Sequence, residues 1–430
     1  MTKKNILVVC ATSTDHRELE AFKNDYNLHF QEHDGSLLEK ILCACPGHPT
    51  EDYKPDHEIQ QLLDFCQEHA IDAVISTEDY PGCIFASIIT HHLGLPGPSP
   101  QSVLTCQHKY YSRQLQKEVV PEATPDFRLI DPTNFEKAHF DMPLPVFIKP
   151  VKSYFSILAN KLLHEAEFER LLQASLPPIL FLQQLNWCLK NYTSFEFNAN
   201  YILAETLLEG VQVTLEGVVY DDEINIIGIV DSIMFPGTLC FERFDYPSHL
   251  PENVQQRMHL IAKKFIHAAK LNNLLFNIEL MYNPTTDEIH IIEVNSRMSS
   301  QFADMFEKVN GINTYQILLD IALGKKPTLF HDQKKHNVAS SFVLRRFDNG
   351  RVLKTPSKSA LAKVYQDSPD ARIEIHLEKG QTLDAIIQDG KSFRYGLINL
   401  GASTWEGLFA KFKSYEAHLR FEFIPNQEFL

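Results

Sequence analysis

Positive charge is in short supply in this sequence, and so are paired cysteines and long apolar runs. Lys plus Arg number 40 against 55 Asp plus Glu, a formal net charge of −15 over 430 residues. A nucleic-acid or anionic-membrane surface needs net or locally dense positive charge, so the balance argues against either as the main partner. Eight cysteines are scattered through the chain: Cys10, Cys43, Cys45, Cys66, Cys83, Cys106, Cys188 and Cys240. None forms a Cys-x-x-Cys pair, and the one close pair, Cys43 and Cys45, has no second pair to complete a zinc site. They read as core thiols in a reducing compartment rather than a disulfide framework. No run approaches eighteen continuous apolar residues, and the apolar stretch of residues 5–10 is too short for a secretory signal, so a cytoplasmic protein is expected. No Gly-x-Gly-x-x-Gly follows that first strand, which leaves a dinucleotide-binding reading without support.

What remains is ordinary globular composition, 44% hydrophobic and 22% charged, in a chain long enough for several domains. Residues 1–105 alternate strands (6–10, 73–76) with helices (59–69, 83–93), the pattern of βαβ units and a parallel sheet. The run Gly94-Leu95-Pro96-Gly97-Pro98 punctuates their end. Next come a helix over 107–118, a strand at 145–149, and a helix over 165–174 broken by Pro177-Pro178. Strands at 202–205, 212–220 and 224–231 precede a helix opened by Pro251, a residue suited to the first turn. In that helix Val254, Met258, Ile261, Phe265 and Ala268 recur at three- and four-residue spacing, a buried stripe. The tail, 331–430, reads as a β-rich lobe with strands at 338–344, 371–377 and 392–398, closed by a helix over 404–420.

The most informative segment is a predicted hairpin. As a strand, residues 274–282 set Leu274, Phe276, Ile278, Leu280 and Tyr282 on one face and Asn277 and Glu279 on the other. After the turn Asn283-Pro284-Thr285-Thr286-Asp287 the chain returns over 289–297, with Glu293, Asn295 and Arg297 in period-two register. Such a hairpin can bring two carboxylates, an amide and a guanidinium onto one surface. Carboxylates and an amide carbonyl are hard oxygen donors suited to Mg²⁺, and the guanidinium can hold a phosphoryl or carboxylate oxygen. Taken alone, the same pattern also suits a solvated polar face on an edge hairpin.

The order of motifs around it resembles the ATP-grasp superfamily over residues 70–325. Glu293-Val294-Asn295-Ser296-Arg297 is similar to that family's Glu-x-Asn-x-Arg metal strand, and Glu279 sits where the other metal carboxylate falls. Gly94–Ser99 followed by Lys109 and Arg113 resembles the lead-in to the first ATP lysine, and Pro145–Pro150 the strand bearing the second, Lys149. Ala204–Gly210 resembles the interdomain hinge. The resemblance implies an α/β fold with an α+β catalytic part, in four pieces. These are a Rossmann-like pre-ATP-grasp domain (1–105), linker helices with an ATP-binding lid (106–205), a catalytic subdomain holding the metal site (206–330) and a C-terminal β-rich lobe (331–430).

It further implies ATP and Mg²⁺ as cofactors, with Mn²⁺ as an alternative ion. The metal ligands would be Glu279, Glu293 and Asn295. The ATP-binding residues would be Lys109, Lys149, Ser153, Ser156, Glu205 at the adenine pocket, Leu207 and Leu208 through their backbone, and Gln212. Arg297 would be catalytic.

Three positions depart from the family pattern. Gln212 stands where an acidic residue usually holds the ribose, the loop Val151–Ser156 has no glycine, and Met298–Phe302 replaces a glycine-containing turn. The tail run Gly396–Ala402 is similar to the C-terminal lobe of biotin-carboxylase-like and amino-acid-ligase members. Phe241–Leu250 looks like the substrate-side insertion of the amino-acid ligases. The expected activity is ADP-forming ligation of a small carboxylic acid, such as an amino acid, to an amine through an acyl phosphate. A biotin-carboxylase-like, bicarbonate-activating enzyme and a catalytically silent ATP-binding sensor or scaffold are the alternatives. The partners would be small molecules, with no nucleic acid and no membrane, and a homodimer is compatible with the class.

Overall fold

The structure, a computed structural model, describes residues 3–32, 55–133, 140–153, 158–168, 170, 179–329, 334–385 and 392–425. The Cys43–Cys45 pair, Ser156, Pro177-Pro178 and most of the helix expected over 165–174 lie outside the described residues. The first three strands, β1 (Lys4–Ala11), β2 (Tyr26–Glu32) and β3 (Ala73–Ile75), pair in parallel in the order β2-β1-β3. One face of this sheet carries Leu7, Val9 and Val74, packed on the helices Pro55–Glu68 and Gly82–Leu93. The helix expected over 107–118 is Lys109–Val119, and a separate helix, Pro100–Gln107, precedes it. Pro100–Gln107 ends at His108, whose extended backbone separates it from Lys109–Val119. The break has a cause in hydrogen bonding: the Lys109 N–H leaves the helical ladder and donates to Val151 O at 3.3 Å.

Four strands, β4 (Phe127–Ile130), β5 (Val146–Pro150), β6 (Asn160–Leu162) and β7 (Ile202–Thr206), form an antiparallel sheet ordered β4-β7-β5-β6. The chain then builds β8 (Val211–Tyr220), β9 (Glu223–Met234), β10 (Phe241–Tyr246), β11 (Leu274–Asn283) and β12 (Glu288–Asn295). The tail supplies β13 (Val338–Arg346), β14 (Gly350–Lys354), β15 (Arg372–Ile375), β16 (Phe393–Ala402) and β17 (Glu422–Pro425). Among the described residues, one antiparallel sheet runs β12-β11-β8-β9-β10-β13-β16-β15. The tail strands therefore continue the sheet that holds the β11–β12 hairpin, and β14 pairs with β17 alongside. The segment from Phe241, read from sequence as an insertion, is the strand that makes the join. It pairs with β9 on one side and β13 on the other, and Ser340 Oγ donates to Asp245 Oδ1 at 2.6 Å across the seam.

One face of the large sheet rests on the helix Glu252–Ala268, whose Val254, Met258, Ile261 and Phe265 are buried as the spacing predicted. Two helices after β12, Ser300–Asn310 and Thr314–Ala322, wedge between the other face and the parallel sheet. Phe302, Phe306, Tyr315 and Leu319 share a core there with Ile6, Val8 and Ile75. That core fixes the loops at the carboxyl ends of β1 and β3 above the polar part of the large sheet. Among the described residues, no helix is long and apolar enough to cross a membrane.

Candidate active site

β11 and β12 pair with Glu279 opposite Glu293 and Asn277 opposite Asn295. Leu274, Phe276, Ile278 and Leu280 are buried on the helix side, which turns Asn277 and Glu279 to the other face. Asn295 Nδ2 donates to Asn277 Oδ1 at 2.9 Å, leaving the Asn295 Oδ1 uncommitted. Gln212 on β8 donates from Nε2 to Glu279 Oε2 at 2.9 Å, so its amide serves this carboxylate. Burial, and then the Glu293 charge opposite, push the Glu279 carboxyl up to about 7. Burial acts on Glu293 in the same sense, but Lys109, Lys152 and Lys149 outweigh it and hold that carboxyl below its ordinary value. Two facing carboxylates with an amide oxygen that no hydrogen bond engages among the described residues fit a hard divalent cation, which would relieve their repulsion. Arg297 lies two residues past the end of β12 and turns its guanidinium toward Asp79, with Nε 3.4 Å from Asp79 Oδ1.

Both lysines singled out in the sequence reach this cleft. Lys109, at the start of its helix, sets Nζ 2.8 Å from Glu293 Oε1. Lys149, on β5, sets Nζ 2.7 Å from Glu205 Oε2 on neighbouring β7. Glu205 does more than bound a pocket: its other oxygen accepts from Arg113 Nε at 2.6 Å. Arg113 also donates to Gln116 and, from Nη2, to Ile292 O at 2.8 Å, one residue before Glu293. The Arg113 and Glu205 side chains are 2% and 5% exposed. Burial alone would raise the Glu205 carboxyl, yet Arg113 and Lys149 bring it down to about 2. The same burial, with Arg113 and Lys109 nearby, lowers the Lys149 ammonium from its ordinary value against the pull of Glu205. Leu207 and Leu208 lie half-buried in the stretch between β7 and β8. That stretch closes at Gly210, at φ +137°, where an added Cβ would lie 2.1 Å from Tyr282 O. Ser153 is half-buried just after Lys152.

A further group, not assigned to the site from sequence, sits beside Arg297. Lys152 donates to Asp79 Oδ2 at 2.5 Å and to Gln107, linking the end of β5 to the parallel-sheet part. Burial would raise Asp79, but Lys152 and Arg297 hold its carboxyl well below the carboxylate range. Glu78, next to it, is pushed up to about 7 by burial and the Asp79 charge. Glu216 on β8, opposite Asn277, accepts from Ser299 N at 3.0 Å and is raised to about 8 by burial. One signal could have found the loop: acidic residues directly after β3, at the carboxyl edge of a parallel sheet, occupy the usual ligand position of such sheets.

The ATP-grasp domain family profile matches residues 142–305. The match makes this segment similar to an ATP-grasp domain. It spans β5–β7, the stretch to β8 and the β11–β12 hairpin. No curated protein matches the sequence. Among solved structures, an L-amino acid ligase from Bacillus licheniformis is similar at TM-score 0.73 and 16% identity, covering 99% of this chain and 100% of that one. A biotin carboxylase from Campylobacter jejuni, in complex with β,γ-ATP, is similar at TM-score 0.67 and 15% identity, covering 99% and 93%. A carboxyaminoimidazole ribonucleotide synthase from Aspergillus clavatus, complexed with ATP, is similar at TM-score 0.67 and 14% identity, covering 97% and 98%. At such identities the likeness is one of fold, and it runs over nearly the whole of this chain.

Proposed function

We propose that the protein is an ADP-forming, Mg²⁺-dependent carboxylate–amine ligase. The observation that carries this reading is the convergence, in one cleft, of Glu279, Glu293 and Asn295 with Lys109, Lys149 and Arg297. Bound MgATP would supply the phosphoryl group that converts a carboxylate into an acyl phosphate open to attack by an amine. Glu279, Glu293 and the Asn295 carbonyl would hold the metal. Lys109 and Lys149 would set point charges on the nucleotide phosphates, exchanging their present carboxylate partners for phosphate oxygens. The backbone at Leu207 and Leu208 would meet the adenine edge, and Ser153 would offer a hydroxyl to the phosphates. Arg297 would orient the carboxylate and stabilise charge on the transferred group.

Gln212 favours a second reading, an ATP-binding protein without catalysis, because its amide is engaged with Glu279 rather than free for a ribose. ADP release separates the two. Acids and amines, presented in pairs and with bicarbonate alone, should include a combination that stimulates ADP formation and yields a condensed product by mass. A panel in which nothing stimulates ADP release would overturn the ligase reading.

A further inference from the structure

Asp79 has two cations beside it and gives its hydrogen bond to one of them. Its Oδ2 accepts from Lys152 Nζ at 2.5 Å. Its Oδ1 accepts from Gln107 Nε2 at 3.2 Å and stands 3.4 Å from Arg297 Nε, close enough for an ion pair. Gln107 ties the group together: its Oε1 accepts from Lys152, and its Nε2 also reaches the Asp79 carbonyl oxygen at 3.3 Å. Both carboxylate oxygens are therefore occupied before Arg297 is counted. Among the described residues, the Arg297 side chain makes one hydrogen bond, from Nη1 to Met298 O at 3.3 Å, and its Nη2 makes none.

Burial grades along this chain of charges. The Lys152 side chain is 2% exposed, Asp79 16% and Arg297 22%, so the lysine is enclosed and the guanidinium faces the cleft. The Lys152 backbone is fixed through Val151, which accepts from Lys109 N at 3.3 Å and donates to Tyr201 O at 3.0 Å. Its Nζ lies 5.5 Å from the centre of the Tyr80 ring. Lys152 is too enclosed to meet a ligand, so its effect passes through Asp79. A guanidinium beside a lone carboxylate favours two parallel N–H···O bonds. That pairing would occupy the fork of Arg297. Lys152 competes for the same carboxylate at the shorter distance, and it precedes Arg297 among the charges that hold Asp79 below the carboxylate range.

Resting on the role given to Arg297 above, we infer that Lys152 is a positioning residue for Arg297: by holding Asp79 it keeps the guanidinium fork open to an anionic group in the cleft. The side-on approach of Asp79 at Nε steadies Arg297, and Nη2 is left for a carboxylate or phosphoryl oxygen.

Phenylglyoxal, which condenses with guanidinium groups, reads this pairing with no substrate present. Labelling is followed by peptide mass mapping, with Arg170, 73% exposed, as the internal standard. Labelling of Arg297 should slow by about tenfold in Lys152→Met, the worth of a charged hydrogen bond newly made with Asp79. The double variant Lys152→Met/Asp79→Asn removes the lysine and the carboxylate together, and its labelling should return to within about threefold of wild type. Kinetics gives a second arm. In ADP release, Lys152→Met should raise the KM of the acid at least about tenfold with the KM for ATP within about twofold, and the double variant should recover most of that loss. A lysine that only neutralised a buried carboxylate would destabilise the fold on removal without selectively moving Arg297 labelling or the acid. Unchanged or faster labelling of Arg297 in a folded Lys152→Met, or a double variant as slow as the single, would overturn the inference and leave the ligase reading intact. Where Lys152→Met fails to fold, Asp79→Asn carries the test: Arg297 should label at least as fast as in wild type, and slower labelling would overturn the inference. No ADP release with any acid would overturn the ligase reading, while the labelling still decides the pairing.

Discussion

Arg113→Met removes the centre of a buried triad. In the native structure Arg113 joins Glu205, Gln116 and the Ile292 carbonyl, and Lys149 holds the other Glu205 oxygen. The variant leaves Glu205 with Lys149 alone and takes the donor from Ile292 O. Removing one partner from a buried ion pair costs about 3–5 kcal/mol. The Glu205 carboxyl gives a second figure. It falls from an ordinary 4.5 to about 2. At roughly 1.4 kcal/mol per unit this is about 3 kcal/mol, shared between Arg113 and Lys149. The melting midpoint should drop by about 3–6 °C for a chain of this length, read by differential scanning fluorimetry. The double variant Arg113→Met/Glu205→Gln should cost about 1–3 kcal/mol less than the sum of the singles. Acid supplies a further check. A carboxyl depressed in the folded state stabilises fully above its unfolded value and loses that contribution as pH falls through its folded value. The gap between wild type and Arg113→Met should therefore be full above pH 4.5 and shrink toward pH 2. A midpoint within about 2 °C of wild type, for a side chain whose loss is expected to cost several kcal/mol, would refute the reasoning, as would strictly additive singles.

Three other outcomes are expected. Glu293→Gln should lower Mg²⁺-dependent turnover by on the order of a thousandfold with an unchanged circular dichroism spectrum, and near-native turnover would dismiss the metal assignment. Lys149→Ala should raise the KM for ATP about tenfold with little change in that for the acid, whereas equal losses would make the residue structural. Gln212→Glu places a third carboxylate beside Glu279 and removes the hydrogen bond it now receives. Its melting point should fall by a few degrees without metal and recover in millimolar Mg²⁺, and a metal response identical to wild type would argue that no ion sits there.

The hairpin was legible because its signal is local. Period-two alternation put Leu274, Phe276, Ile278 and Leu280 on one face, and the β11–β12 register faces Glu279 with Glu293 as that alternation requires. The helix stripe from Val254 to Phe265 was legible for the same reason. The division at His108 was not, because the cause is a bond from the Lys109 N–H to Val151, over forty residues away. Nor was the role of Phe241–Tyr246, since a strand's neighbours depend on what else folds beside it, here β9 and β13.

The sequence by itself determined the oxygen donors of the hairpin and the apolar faces that bury beneath them, which follow from spacing within single strands and helices, while the two lysines came from the resemblance of the motif order to the ATP-grasp superfamily. Only the tertiary structure decided how the charges are matched. It set Lys149 and Arg113 on one Glu205, joined Lys152 to Asp79 and, among the described residues, left one oxygen of Glu216 without a hydrogen-bond partner. The physical reason is that an ion pair is a matter of distance in space. These partners come from β3, β5, β7, β8 and a helix start, which no sequence spacing places together.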